Sequence, residues 1–192
     1  MTSKEANAAV RKIIESFKPL CEQEEQDKVT TLKYLDLFDN VLIRDNTFAH
    51  FSSSSFIFNK DRTKTLFIYH NIYDSWTWTG GHNDGDPDFL HVAIKEAKEE
   101  TGVDVKVISK DPIALDILPV WGHVKRGQWV SSHQHINLTY IFEADDSQEL
   151  FVKPDENSGV KWVPVEDVCK VSNERDMYPV YNKIIERAQK ML

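Results

Sequence analysis

The stretch TGGHNDGDPDFLHVAIKEAKEETGV, which covers residues 79–103, decides the fold of this chain. Its segment FLHVAIKEAKEET predicts a helix. At about 100° per residue, Glu96, Glu99 and Glu100 share an arc of about 100° on that helix. Three carboxylates therefore lie on one face, at a spacing where like charges repel.

The same helical projection predicts two further faces. An apolar stripe lies on a separate side, and we expect it to face the core: Leu90, Ile94, Ala97 and Thr101. A third sector is basic: His91, Lys95 and Lys98.

A solvated surface would explain one glutamate, but it explains this crowded face poorly. Glu96 and Glu100 are like charges four residues apart, which costs roughly a few tenths of a kcal/mol. Glu99 lies near the helix C-terminus, where the dipole disfavours an anion, and pairing with Lys95 offsets part of that cost. A divalent cation would turn this electrostatic cost into a favourable interaction, because clustered oxygen ligands are what Mg²⁺ or Mn²⁺ requires.

Glycines flank the predicted helix on both sides. Gly80 and Gly81 end a predicted strand and allow a close approach of the backbone to a ligand. Gly102 follows the last helical turn, where a left-handed residue is favoured. The stretch thus predicts a loop, a helix and a loop that present an acidic face beside exposed backbone.

Length, charge and cysteine usage limit the classes of function. A chain of 192 residues fits one domain with at most a small appendage. The formal charge of −8 excludes a nonspecific nucleic-acid binder, and no apolar run approaches the roughly 20 residues of a membrane helix. The first residues lack the order of a secretory signal. Cys21 and Cys169 have no metal or redox spacing and indicate a reducing cytoplasm.

The chain divides into two parts with different patterns of apolar residues. Helices over residues 5–18 and 22–38 predict an N-terminal helical extension, 1–47, that packs on the domain, mediates dimerisation or covers the substrate. The second part, 48–192, predicts the following strands and terminal helix: strands within 50–59, 64–72, 104–124, 128–145 and 158–167, and a helix over 176–191. Strands before and after one central helix indicate an α/β fold with a mixed sheet between helical layers.

The opening stretch resembles the signature of the Nudix hydrolase family, G-x5-E-x7-R-E-U-x-E-E-x-G-U, where U is a bulky aliphatic residue. Six positions match: Gly81, Glu96, Glu99, Glu100, Gly102 and Val103. Trp76 and the glycine pair are similar to the family's W-x-x-P-G-G approach. The resemblance implies a Nudix-type α/β/α sandwich with a mixed sheet, and it does not cover residues 1–47.

Three signature positions and one position upstream of the signature depart from the family pattern. The first glutamate is Pro87, the arginine is Lys95, the aliphatic residue is Ala97, and Thr79 replaces the proline before Gly-Gly. In the family the first glutamate and the arginine brace the loop. Here either Asp86 or Asp88 is expected to supply the carboxylate, with Lys95 as the cation.

The resemblance assigns roles to the residues that match. Glu96, Glu99 and Glu100 would bind Mg²⁺ or Mn²⁺, with the Gly80 carbonyl as a further candidate ligand, and one glutamate, Glu96 or Glu99, could instead activate water. Family members take a further acid from a loop before the last strand, where KPDENSGVKW offers Asp155 and Glu156; we favour Glu156.

Residues outside the signature provide candidates for substrate binding. His133 and His135 point to one face of a predicted strand. They could also ligate Zn²⁺, but no nearby Cys or third His completes such a site. The other candidates have an ordinary alternative as turn or core residues: Lys125, Arg126, Trp78 and Trp121. Pro119, 16 residues beyond Val103, resembles the marker of ADP-ribose pyrophosphatases.

The resemblance implies a divalent-metal-dependent hydrolase that cleaves the pyrophosphate bond of a nucleoside diphosphate linked to another moiety. ADP-ribose, a nucleotide sugar and a (d)NTP are the candidate small-molecule substrates, and a homodimer is a common assembly in the family. The alternatives are a Nudix-like nucleotide-binding sensor and, less favoured, an isopentenyl diphosphate isomerase, whose cysteine motif Cys21 and Cys169 do not match.

Overall fold

A computed structural model describes residues 3–125 and 127–191. The described part contains five α-helices: α1 (Ser3–Ser16), α2 (Glu22–Leu37), α3 (Phe89–Thr101), α4 (Val168–Val171) and α5 (Tyr178–Lys190). Two short 3-10 helices, Val165–Asp167 and Arg175–Met177, precede α4 and α5. It contains ten strands: β1 (Ala49–Phe58), β2 (Lys64–His70), β3 (Ser75–Thr77), β4 (Thr79–His82), β5 (Lys106–Val107), β6 (Ala114–Val120), β7 (His123–Lys125), β8 (Gln128–Val130), β9 (His133–Glu143) and β10 (Asn157–Pro164). None of the described helices is long and apolar enough to cross a membrane.

One mixed sheet forms the centre of the molecule. Its order is β10-β2-β1-β9-β5, with β3 beside β2, β4 beside β1 and β6 beside β9. Strands β1 and β9 are parallel, and the other pairs are antiparallel. Strands β7 and β8 form a separate hairpin.

Strand β1 is central although its middle is four consecutive serines. All ten of its residues are buried, so each hydroxyl needs a partner. Ser52 and Ser54 donate to the side-chain oxygen of Asn137 at 3.0 and 2.9 Å. Ser53 donates to Asn83 at 3.1 Å. Ser55 shares a hydrogen bond with the Thr79 hydroxyl at 2.6 Å, so neighbouring side chains satisfy all four serine hydroxyls.

Helices cover both faces of the sheet, which confirms the predicted α/β/α sandwich. On one face, α3 packs Phe89, Ala93 and Ala97 into the core. On the other, α5 packs Tyr181 and Ile184 against the aromatic side chains of β1 and β2. Alternation along β1 supplies both cores, because successive side chains point to opposite faces.

The two N-terminal helices pack on this domain. Val10 and Ile14 of α1 and Leu35 of α2 belong to the same core as α3. Glu24 of α2 forms an ion pair with Arg187 of α5. The division at residues 47 and 48 stays a prediction.

The predicted strands exist, but the structure divides them more finely than the sequence pattern does. The segment 104–124 contains β5, β6 and the first two residues of β7, and 128–145 contains β8 and β9. Short strands and the four-residue α4 have too few residues to give a periodic signal. The predicted helices differ from α1, α2 and α5 by two residues or fewer at each end.

Candidate active site

Helix α3 begins at a carboxylate cap and ends at a glycine. The side chain of Asp88 accepts a hydrogen bond from the His91 amide at 3.0 Å, which satisfies a free donor of the first turn. Gly102 has a φ of 80°, and its amide donates to the Lys98 carbonyl. The left-handed conformation explains the glycine at this position.

The acidic face of α3 is largely buried, so the expected separation of acidic and core-facing sides is wrong. Glu96 is 8% exposed and Glu100 is 2% exposed, and both lie on the side that packs Phe89 and Ala93. Of the four residues expected in the core, Ala97 and Thr101 are fully buried, whereas Leu90 and Ile94 are half-buried against the same core. The cause is the sandwich, because α3 lies across β1 and β4 and turns these glutamates toward the sheet.

Gly80 and Gly81 allow β4 to lie close to both α3 and β1. A Cβ on Gly81 would lie 2.5 Å from Cδ of Glu96, and one on Gly80 would lie 2.8 Å from the Ser53 carbonyl oxygen. Both distances are too short for a side chain. Gly80 and Gly81 are thus required by the close contacts of β4 with α3 and β1.

Glu100 is buried without an ion-pair partner in the described part of the chain, and the positive charge that acts on it is that of Lys153. Its Oε2 accepts a hydrogen bond from the Gly80 amide at 2.9 Å. Among the described residues, no ion pair includes this side chain. Burial raises the pKa of Glu100 well above its ordinary value, and the neighbouring Glu96 and Glu156 raise it further. Burial also raises the pKa of Glu96, although Lys95 opposes the shift.

Two lysines join the glutamates into one group. Nζ of Lys95 lies 3.2 Å from Glu96 and 3.5 Å from Glu99. Nζ of Lys153 lies 3.2 Å from Glu99 and 2.9 Å from Glu156. Burial acts to raise the pKa of Glu99, but the bonds from Lys153 and Lys95 outweigh it and lower the pKa.

We call the four acids Glu96, Glu99, Glu100 and Glu156 the carboxylate cluster. Glu156, which the sequence analysis favoured, lies beside the acids of α3, because Nζ of Lys153 contacts both Glu99 and Glu156. Sequence analysis missed Lys153 and also Asn157, whose amide donates to the Glu100 carbonyl at 3.0 Å. The KPDEN segment contained both, but no spacing rule singled them out.

The loop before α3 is held differently from the expected acid–cation brace. Asp86 accepts from the Asp88 amide at 2.8 Å and contacts Nδ1 of His91 at 2.9 Å. Lys95 contacts Glu96 and Glu99 instead. Both aspartates therefore stabilise the start of α3, with His91 as the side-chain partner.

A segment upstream of β1 also holds this loop. Arg44 forms two hydrogen bonds to Asp84, at 2.8 and 2.6 Å. The Gly85 amide donates to the Leu42 carbonyl at 3.0 Å. Residues that the family signature does not cover therefore position the loop of the signature.

His133 and His135 lie in a group of four histidines, with His50 and His82. The expectation that no third histidine completes a zinc site is therefore wrong for the folded chain. His50 comes from β1 and His82 from β4, so the sheet brings together residues far apart in sequence. A role of His133 and His135 in substrate binding stays a prediction.

The other predicted substrate contacts have mixed placements. Trp78 is buried in the core against Tyr181, which favours its packing role over contact with a base. Trp121 is 72% exposed. Lys125 ends strand β7, and Arg126 lies outside the described residues. Pro119 lies in strand β6 rather than in a loop.

Comparisons with known proteins agree with this architecture. A curated relative, the probable DHNTP pyrophosphohydrolase of Lactococcus lactis subsp. cremoris, is 25% identical over 138 residues, which are 71% of this chain and 80% of the relative. An Ap4A hydrolase binary complex from C. elegans has a TM-score of 0.52 at 19% identity and covers 69% of this chain and 93% of its own. A NUDIX-family hydrolase from Clostridium perfringens has a TM-score of 0.54 at 23% identity, with 71% and 96% covered.

The two solved structures share the fold of this chain. The family model described as the NUDIX domain matches residues 50–188, which is well over half of the sequence. The match spans the central strand β1, the whole signature stretch and most of α5. The chain therefore belongs to the Nudix hydrolase family.

Proposed function

We propose that this protein is a Mg²⁺- or Mn²⁺-dependent hydrolase that cleaves the pyrophosphate bond of a nucleoside diphosphate linked to another moiety. The observation that carries the proposal is the pair of buried carboxylates Glu96 and Glu100 on α3, packed against Gly80 and Gly81. Burying two acids one helical turn apart is costly unless a cation compensates them.

The residues of the carboxylate cluster fit a divalent ion in chemistry. All the side-chain donors are hard oxygens, which Mg²⁺ and Mn²⁺ prefer. Glu100 has no ion-pair partner in the described part of the chain, and burial raises its pKa, so a cation would relieve an existing cost. Glu96, Glu99, Glu100 and the Gly80 carbonyl would hold the ion, with Glu156 as a further ligand.

The ammonium groups of Lys95 and Lys153 hold the carboxylate cluster in its present arrangement. Each ammonium lies between two carboxylates. Drawing those oxygens around one ion requires the lysines to release them. The lysines would then be free to balance the charge of a bound diphosphate.

The ion would neutralise the diphosphate and lower the pKa of water at the site. One of Glu96 and Glu99 takes the proton of the attacking water instead of binding the ion. The water oxygen forms a bond to phosphorus as the bridging P–O bond breaks, and the leaving phosphate keeps the electron pair. Glu96 forms an ion pair with Lys95, whereas Glu99 forms ion pairs with both Lys95 and Lys153, so Glu96 has fewer ion pairs to release before it accepts a proton.

The candidate substrates share a pyrophosphate bond and differ in the attached group. The name of the Lactococcus relative supports testing DHNTP. Pro119 supports ADP-ribose, and nucleotide sugars and (d)NTPs complete the set. We further propose a reducing, cytoplasmic location, which the free cysteines Cys21 and Cys169 support, and a homodimer, which light scattering would test.

A substrate panel tests the proposal. The chain is incubated with each compound and Mg²⁺, and phosphate or monophosphate release is measured. Glu100→Gln, which keeps the shape of the side chain, should lose activity, whereas Glu186→Gln, an exposed change on α5, should not. Absence of turnover with every compound, or full turnover in Glu100→Gln, would refute a hydrolase built on this cluster.

A nucleotide-binding sensor is the second candidate. The observation that favours it is the pairing of Lys95 and Lys153 with the cluster, which could retain the acids without an ion. Calorimetry with the same panel separates the two functions, because tight nucleotide binding without product would assign the sensor.

A further inference from the structure

Four of the seven histidines meet on one face of the sheet. His50 comes from β1, His82 from β4, and His133 and His135 from the start of β9. One ring nitrogen of each lies within 4.8 Å of the others. The shortest separations join Nε2 of His135 to Nε2 of His82, at 3.1 Å, and to Nε2 of His133, at 3.3 Å.

Backbone carbonyls fix the protonation of two of these rings. Nδ1 of His50 lies 3.0 Å from the Asn46 carbonyl oxygen, and Nδ1 of His133 lies 2.8 Å from that of Ser131. A carbonyl oxygen can only accept, so each Nδ1 carries the proton. Nε2 of both rings is therefore a lone pair, which is the form that binds a metal.

The protons available to neutral rings cannot satisfy all four nitrogens. Nε2 of His135 carries one hydrogen at most, and it faces Nε2 of both His82 and His133. A proton donated to His133 leaves the contact with His82 without a linear hydrogen bond. Nε2 of His50, a residue only 4% exposed, has no hydrogen-bond partner among the described residues. Unsatisfied buried nitrogens are costly.

An additional proton is a poor solution at this position. A positive charge on the buried His50 ring would be desolvated among three other imidazoles, because the ring centroids of His82, His133 and His135 lie 4.9, 4.9 and 5.0 Å from its own. An imidazolium would also repel Arg44, whose charge acts on the rings of His50 and His135. A metal ion removes the conflict, because it accepts all four lone pairs at once.

We propose that His50, His82, His133 and His135 bind one first-row transition-metal ion, with Zn²⁺ as the preferred ion. Four imidazoles suit Zn²⁺, Cu²⁺ and Ni²⁺, whereas Mg²⁺ requires oxygen ligands. Tetrahedral Zn²⁺ with Zn–N bonds of about 2.0–2.1 Å places its ligand nitrogens roughly 3.3 Å apart. Two of the separations, 3.1 and 3.3 Å, match that edge, and the other nitrogens lie within 4.8 Å of one another, so small ring movements would complete the site.

The surroundings resemble those of established metal ligands in one further respect. Histidine ligands commonly donate their second ring nitrogen to a carbonyl, which fixes the ring and its tautomer. Asn46 and Ser131 supply such carbonyls here. His82 and His135 are half-buried, so the group borders solvent and an ion can enter.

The histidine site is separate from the carboxylate cluster. A Cβ on Gly81 would contact Glu96, and the next residue, His82, points to the opposite face of β4. The bound ion would join β1, β4 and β9 at the point where β4 leads into the loop before α3. It would thereby fix the starting point of that loop, and His133 and His135 would act as ligands.

Metal content tests the proposal independently of hydrolysis. The full chain, produced without a polyhistidine tag, is loaded with Zn²⁺, passed over a desalting column and analysed by mass spectrometry for metals. We expect about one zinc per chain. Loading with Co²⁺ should give the intense visible absorption of a tetrahedral site, and zinc should raise the melting temperature.

Matched variants locate the ion. His135→Ala and His50→Ala should each lose the bound zinc and its thermal stabilisation. His91→Ala, which removes an exposed histidine of α3, should retain both. Glu100→Gln should retain the zinc as well, so a loss of hydrolysis in that variant would concern the other site alone. Circular dichroism in chelator establishes that each variant is folded.

Two outcomes would overturn the proposal. One is less than about a tenth of an equivalent of zinc in the folded wild-type chain. The other is equal zinc content in the wild type, His135→Ala and His50→Ala, which would place any ion elsewhere.

Discussion

Two buried glutamates in this molecule are treated in opposite ways. Glu24 of α2 is 0% exposed and Glu100 of α3 is 2% exposed. Arg187 forms two hydrogen bonds to Glu24, at 2.5 and 3.0 Å, and Nζ of Lys183 lies 3.2 Å away. Glu100 accepts a hydrogen bond from the Gly80 amide at 2.9 Å and is affected by the negative charges of Glu96 and Glu156.

The difference appears in the pKa of the two acids. Burial acts to raise the pKa of Glu24, but Arg187, the Leu20 amide and Lys183 outweigh it, so the pKa is lowered. For Glu100 burial dominates and the pKa is raised. A fold that can compensate a buried carboxylate fully at one place leaves it uncompensated at another, which is typical of a functional site.

Breaking the compensated pair should have the largest effect. Arg187→Met leaves Glu24 buried without its guanidinium, and we expect a loss of about 3–5 kcal/mol in the free energy of unfolding. Urea denaturation measures it. The control is Arg11→Met, which removes the exposed pair with Asp36 and should cost about 0.2–1 kcal/mol. Equal effects of the two changes would show that the Glu24 pair is not a special contribution to stability.

Removing the uncompensated charge should affect activity and not stability. Glu100→Gln should reduce hydrolysis by at least about 100-fold, since loss of even an outer partner of a metal ligand costs about 10–100-fold. In chelator its free energy of unfolding should equal or exceed that of the wild type, because a neutral amide is less costly to bury than a carboxylate. If Glu100→Gln were destabilised but active, Glu100 would be a structural residue like Glu24 and not a functional one.

The two glutamates should also give opposite pH dependence of stability. The raised pKa of Glu100 means that the folded chain holds the proton above pH 4.5, the ordinary value, when the unfolded chain has lost it. Stability from this group is thus present below pH 4.5 and is lost as the pH rises through the folded pKa. The lowered pKa of Glu24 gives stability above pH 4.5 that is lost as the pH falls.

Urea unfolding in chelator between pH 4 and pH 8 separates these contributions. The stability of Glu100→Gln relative to wild type should increase with pH above 4.5. The disadvantage of Glu24→Gln should shrink as the pH falls below 4.5. Parallel profiles for both variants and the wild type would mean that neither pKa differs between the folded and unfolded chains.

The sequence predicted the part of the site that is local and missed what depends on the sheet. Glu96, Glu99 and Glu100 follow from helical spacing within five residues, and Gly81 follows from the signature. Their burial was missed, because a helical projection shows which residues share a face but not which face meets the sheet. A helix packed on close-approaching glycines can bury charged residues.

The histidine group shows the same limit more strongly. His133 and His135 are two residues apart and were noticed, but His82 lies on another strand and His50 on a third. Their meeting depends on the parallel pairing of β1 with β9, in which His50 is opposite His135, and on β4 beside β1. No sequence spacing specifies such pairings, whereas the general sandwich follows from the order of strands and helices.

The smallest expected effect concerns Lys153, which lies between the glutamates of α3 and Glu156 in the carboxylate cluster. Nζ of Lys153 contacts both Glu99 and Glu156, and a divalent ion must displace it. Partly exposed ion pairs are worth about 0.2–1 kcal/mol, so Lys153→Met should tighten Mg²⁺ binding by about 1.4- to 5-fold. Calorimetric titration of Mg²⁺ without substrate measures this change.

Lys106→Met, which breaks an exposed pair with Glu143, is the matched control. Weaker Mg²⁺ binding in Lys153→Met would show that the ammonium orients the carboxylates for the ion instead of competing with it, and Glu99 would then resemble the supported Glu24 more than the unsupported Glu100.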